Sequence, residues 1–189
     1  MARLSSQSAV RGVALIAAVC ALGLLAALLR AGVAGASGET VLTLEPVGEV
    51  RAGQLITVRL VARNAQDLAG FQGVVQYDRA GLRLTGASVD GGLGRGGRGV
   101  LPLGPVMSDG SVALGAATCP LRDCASLQTR LAARVERGVS GRVELGTLEF
   151  VSAAPGSYRL SLDGVQFVDP QGNRLQVRAE PLLLEVRAP

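Results

Sequence analysis

Between residues 55 and 77 apolar side chains recur at every second position, and that period belongs to a strand with one face buried. Ile56, Val58 and Leu60 fall on one face, with Thr57 and Arg59 on the other. After a polar crossover, Phe71, Val75 and Tyr77 share a face and Gln72 and Gln76 take its reverse. The rhythm persists along the chain. Leu42 and Leu44 open it, and residues 84–89 form a short edge candidate. Val112, Leu114 and Ala116 alternate with Ser111, Ala113 and Gly115. Val143 and Leu145 share a face that Leu148 and Phe150 resume, so one residue near Gly146 is extra and a bulge is expected there. Tyr158, Leu160 and Leu162 alternate, Gly164 turns the chain, and Val165 and Phe167 follow. Leu175, Val177 and Ala179, then Leu182, Leu184 and Val186, supply the last strands, divided by Pro181. Many short alternating runs punctuated by Gly and Pro imply an all-β sandwich or barrel. A parallel α/β sheet would need crossover helices, and these are missing. One segment has helical spacing: Leu127, Leu131 and Val135, with Gly138 as its stop.

The ends set a different expectation. Arg3 and Arg11 precede or open a continuous apolar run over residues 12–29, and Ala34-Gly35-Ala36 is a small-x-small site. Residues 1–36 thus read as a secretory signal peptide with a hydrophobic signal helix, and residues 37–189 as one domain. The run of about 18 residues also reaches the lower range of a membrane span, so an uncleaved anchor is the alternative. The protein is then secreted or at the cell surface, or tethered to the membrane through residues 12–29. Three of the 19 basic residues, Arg3, Arg11 and Arg30, lie in the leader, which leaves 16 against 15 acids and no basic tract for nucleic acid. Cys119 and Cys124 are the two cysteines of the mature part. Their spacing is wrong for Cys-x-x-Cys, and an exported chain can keep a small loop-closing disulfide between them.

The chain has no histidine, which removes Ser-His-Asp and Cys-His catalysis and every His-ligated metal. Two carboxylates alone can hydrolyse a glycoside. Here Asp67, Asp78, Asp90, Glu144, Glu149, Asp163 and Asp169 fall on expected outer faces and turns. Asp78 is placed to cap the turn after its strand, and Asp169 with Asn173 to flank a hairpin turn, with too few oxygens for calcium. Residues 92–97 match G-x-G-x-x-G, yet no helix can start at the following Gly and Pro residues, so a mobile loop is expected. No cofactor and no enzymatic activity are expected. There is no Trp, and Phe71, Tyr77, Phe150, Tyr158 and Phe167 all sit in phase with apolar neighbours. They belong to a core rather than to a flat platform for sugar rings.

The order of several local signals resembles the cohesin family. Ala52-Gly53-Gln54 matches the turn that opens a Val-rich strand, and Leu68-Ala69-Gly70-Phe71 leads to a strand closing on Tyr77-Asp78, followed by Leu82-Arg83-Leu84. Residues 146–150 look like the later x-Leu-x-x-Phe strand and residues 167–173 like the closing hairpin, so the resemblance covers about residues 41–186. It implies a two-sheet jelly-roll β-sandwich and a non-catalytic module that docks a dockerin, a small calcium-binding helical partner. By position relative to Tyr77-Asp78, the family's partner-contacting site falls on Gln72. The outward face of Gln72, Val74 and Gln76 is therefore the expected partner surface. Direct binding of polysaccharide by the same sandwich is the alternative, and an envelope structural domain the third.

Overall fold

The computed structural model describes residues 38–96, 98–120 and 137–189. The expected leader and tether, the expected helical segment 127–135, and Cys124 with its expected bond to Cys119 lie outside the described residues. The compact β unit spans Glu39–Pro189. Its strands are β1 (Val41–Val47), β2 (Leu55–Leu68), β3 (Gly70–Tyr77), β4 (Leu82–Val89), β5 (Arg98–Ser108), β6 (Ser111–Pro120), β7 (Val139–Ser152), β8 (Gly156–Val168), β9 (Arg174–Leu175), β10 (Arg178–Ala179) and β11 (Leu182–Val186). They form two sheets, ordered β10-β1-β2-β7-β4 and β11-β8-β3-β6-β5, with β9 beside β8. Every pairing between these strands is antiparallel except β10 on β1. This is an all-β, two-sheet sandwich: the alternation left sandwich and barrel open, and the resemblance to cohesins implied the sandwich.

The core is the set of inward positions read from the period of two. Leu42, Leu44, Ile56, Val58, Leu60, Leu148 and Phe150 from the first sheet meet Phe71, Val75, Val112, Leu114, Leu160 and Phe167 from the second. Tyr77 and Phe150 join the two layers edge to face, with centroids 5.2 Å apart, a geometry that suits the ring quadrupoles. The remaining aromatic, Tyr158, packs against this core, and its hydroxyl donates to the carbonyl of Ala154 at 2.9 Å. The expected bulge near Gly146 is present: Leu60 faces Gly146, the next residue Val61 faces Glu144, and Leu145 is the extra residue.

Four expectations need correction. The polar crossover after Ala62 is strand: β2 runs on to Leu68, with Asn64 and Asp67 at positive φ where its register against β7 shifts. The chain then changes sheets at Ala69. Gly164 does not turn the chain, because β8 pairs with β3 on both sides of it. Residues 175–179 are not one strand, since β9 pairs with β8 and β10 with β1. The glycine-rich stretch expected as a mobile loop is a 3-10 turn, Gly91–Gly96, which buries Leu93 in the core, and residues 98–108 continue as β5. One hydrophobic side chain is enough to anchor that turn, because apart from Leu93 and Arg95 it is glycine and its backbone packs closely on β7.

Candidate functional site

The two outer faces of the sandwich differ in chemistry. On the first sheet the outward side chains form a chain of ion pairs. Glu45 meets Arg63 at 2.8 Å and Arg142 at 2.9 Å, Arg142 meets Glu144 at 2.8 Å, and Arg59 approaches Glu144 at 3.5 Å. At one edge Arg178 bridges Glu39 and Glu180. Burial pushes the Glu45 carboxyl up, but hydrogen bonds from Arg142 and Arg63 outweigh it and hold the group below its ordinary value. The hydrogen bond from Arg142 likewise lowers Glu144.

On the second sheet the strands β3, β5 and β6 carry one charged residue between them, Arg98, which is buried and donates to the hydroxyl and carbonyl of Thr118. Directly opposed residues of neighbouring strands point the same way, so the register defines the outward rows. Leu103, Gly115, Gln72 and Gln166 make one row. Val106, Ala113, Val74 and Asp163 make the next, and Ser108, Ser111, Gln76 and Ser161 the third. The expected Gln72, Val74 and Gln76 thus share one outward face at the middle of this sheet; the two glutamines are exposed and Val74 is half-buried.

Sequence reasoning missed the neighbouring ridge. On the edge strand β5, Leu101, Leu103 and Val106 are 59%, 51% and 62% exposed. With the small residues of β6 between, this ridge and the β3 glutamines border a trough floored by Ala113, Gly115 and Ala117. Pro102 and Pro105 fit in β5 because it is an edge, and they deny that edge hydrogen-bond donors to an incoming strand. Strand addition at the β5 edge is therefore disfavoured.

The acids do not converge. Asp67 accepts from the Gly138 amide at 2.6 Å, Asp90 from the Thr147 hydroxyl at 3.0 Å, and Asp78 from the Ala80 amide at 2.9 Å as a turn cap. Asp163 lies on the outer face of β8, and Glu149 on β7 opposite Thr57. Asp169 accepts from Asn173 Nδ2 and from the amides of Asn173 and Gln171, which closes the hairpin turn and lowers its carboxyl below the ordinary value. Among the described residues, no three His, Cys, Asp or Glu side chains gather as a metal site.

Neither a family model nor a curated protein matches this sequence. Solved structures do. The fold is that of a cohesin module. A non-cellulosomal cohesin from the archaeon Archaeoglobus fulgidus is 16% identical with a TM-score of 0.56, over 79% of this chain and 92% of that one. The cohesin module of a Clostridium perfringens family 33 glycoside hydrolase is 10% identical with a TM-score of 0.58, over 80% and 98%. A chain of a type I cohesin–dockerin complex from Clostridium thermocellum is 10% identical with a TM-score of 0.60, over 80% and 95%. At these identities the likeness establishes the cohesin-like fold. The match spans nearly the whole length of each of these three chains.

Proposed function

We propose that the chain is an exported, non-catalytic docking module that receives a dockerin-type helical partner on the outer face of β8-β3-β6-β5. One observation carries the reading. This cohesin-like sandwich has an almost uncharged wall of amides and aliphatic side chains on the strands that hold Gln72, Val74 and Gln76. Such a wall is cheap to desolvate, and an exposed apolar ridge rimmed by polar groups marks an interaction surface. The dockerin complexes among the structural neighbours support the choice of partner. The leader supports export, and the disulfide between Cys119 and Cys124 would suit that compartment.

The test is a calorimetric screen of the protein against dockerin-type helical pairs, beside pull-downs on insoluble polysaccharides. Leu101, Leu103 and Val106 are each already about half covered, so completing their burial gains about 1 kcal/mol apiece and their joint replacement by Ser weakens docking roughly a hundredfold. The melting temperature stays near wild type. Retention on polysaccharide with no dockerin binding would instead favour a glycan on the same amide row, and inertness in both assays an envelope structural role.

A further inference from the structure

Two bulges meet at one level of the second sheet, and a hollow opens between them. β5 sets Gly104 and Pro105 opposite the single residue Leu114, and β8 sets Gly164 and Val165 opposite the single residue Gly73. Leu114 and Gly73 are themselves partners across β6 and β3. A bulge bends its strand and sharpens the local twist, so one on each side of this pair draws the flanking side chains apart. Gly73, Gly115, Gly164 and Ala113 contribute nothing beyond a Cβ to the floor, while Leu103 and Gln72 stand as walls. The space amounts to about 300 Å³, at the bottom of the range of roughly 300–1,000 Å³ for small-molecule sites.

No ionisable side chain lines the hollow. A charged occupant would lose its water there and find no counter-charge among the lining residues; the nearest carboxylate, Asp163, stands outside the hollow, next to Val74 in its outward row. We infer that the hollow seats one uncharged aliphatic side chain, of the size of Leu, Ile or Met, presented by the docked partner, and that Gln72 hydrogen-bonds a polar group beside it. This deepens the docking proposal and rests on it for the partner's identity, but the hollow's preference can be read without any partner.

The experiment uses the full chain with labelled methyl groups and titrates it with N-acetyl-leucine amide, then with N-acetyl-lysine amide. The leucine probe shifts the methyls of Ala113, Val74 and Leu103 saturably and leaves those of Val47 and Leu183 in place; the lysine probe does neither. Ala113→Phe fills the hollow and abolishes saturation while the remote methyls keep their positions. Should that variant fail to fold, Leu103→Ala removes one wall and weakens the probe at least roughly threefold. Shifts without saturation, equal response to the lysine probe, or saturation unchanged in Ala113→Phe would overturn the inference. A dockerin-type module that binds equally well to Ala113→Phe would sink the hollow and leave docking standing. Leucine-specific saturation with no dockerin binding would do the reverse.

Discussion

Leu93 decides whether the glycine-rich segment is a structural plug or a loop laid over the surface. Its side chain is 1% exposed and lies within the core cluster. Leu93→Ala removes several buried carbons at about 0.8 kcal/mol each and leaves a cavity, so a cost of about 2–4 kcal/mol is expected. For a unit of about 150 residues this lowers the melting temperature by roughly 5–15 °C. Differential scanning calorimetry measures it, and urea titration checks that unfolding stays cooperative. Gly92 supplies an independent perturbation. A Cβ there would stand 2.0 Å from the carbonyl oxygen of Glu144, so Gly92→Ala must lift the turn from β7 and draw Leu93 with it. At Gly91 a Cβ meets nothing within 4 Å, and Gly91→Ala serves as the control. A loss under about 0.5 kcal/mol for Leu93→Ala, the scale of a surface change, would falsify the plug. So would a Gly92→Ala variant as stable as Gly91→Ala.

Glu45 should make stability depend on pH. Its folded carboxyl titrates below the ordinary value of 4.5, so its contribution is complete above that pH and is lost as pH falls through the folded-state value. Thermal melts at pH 7 and pH 3 should differ less for Glu45→Gln than for wild type, and an unchanged difference would remove Glu45 from the acid response. Asp67 combines a φ of 52° with a carboxylate that accepts from Gly138. Asp67→Ala should cost about 2–3 kcal/mol in urea unfolding, Asp67→Gly about 1 kcal/mol because the backbone strain is relieved, and Asp67→Asn least. Equal losses for Ala and Gly would mean that conformation plays no part.

The inward positions of β3, β6, β7 and the first half of β2 were legible because burial enforces a strict period, and even the interruption at Gly146 showed as a one-residue phase slip between two apolar runs. Gly164 misled for a physical reason. A glycine at positive φ followed by apolar residues serves a hairpin turn and a bulge equally well, and only the continuous partner β3 distinguishes them. β5 was hidden by Gly104 and its two prolines, which a central strand rejects and an edge strand tolerates. A usable signal did exist: Asp109-Gly110 between two apolar runs is a tight-hairpin dipeptide, and the structure places it between Ser108 and Ser111 as the two-residue connection of β5 to β6. For the proposed docking face, alternation and the resemblance to cohesins gave Gln72, Val74 and Gln76. Their neighbours Leu103 and Val106 come from a strand about 30 residues further on, brought beside them by the order β3-β6-β5, which no local pattern encodes.

The contrast between the two walls also says which one a partner can cover. Both sheets share one core, so their outward residues are the positions that packing leaves free. On the first sheet those positions hold Glu45, Arg59, Arg63, Arg142 and Glu144 in mutual contact. In water such pairs contribute little to stability, but a partner laid over them would have to remove five charges from solvent, and ion-pair attraction seldom repays that in full. On the second sheet the same operation removes water from aliphatic carbon, which is favourable, and from glutamine amides and serine hydroxyls, which a partner's polar groups can satisfy; on the rows across β3, β6 and β5 the one carboxylate is that of Asp163, contributed by β8. The charged network therefore protects its face from adventitious association, while the uncharged trough invites it. Moving the network tests this directly. Placing Glu and Arg at Ala113 and Ser111 should abolish docking on the second sheet with little change in melting temperature. Replacing Arg63 and Arg142 by Gln should not create a second docking face, because Glu45 and Glu144 would remain to be desolvated. Strong partner binding retained by the first variant would place the interface elsewhere on the sandwich.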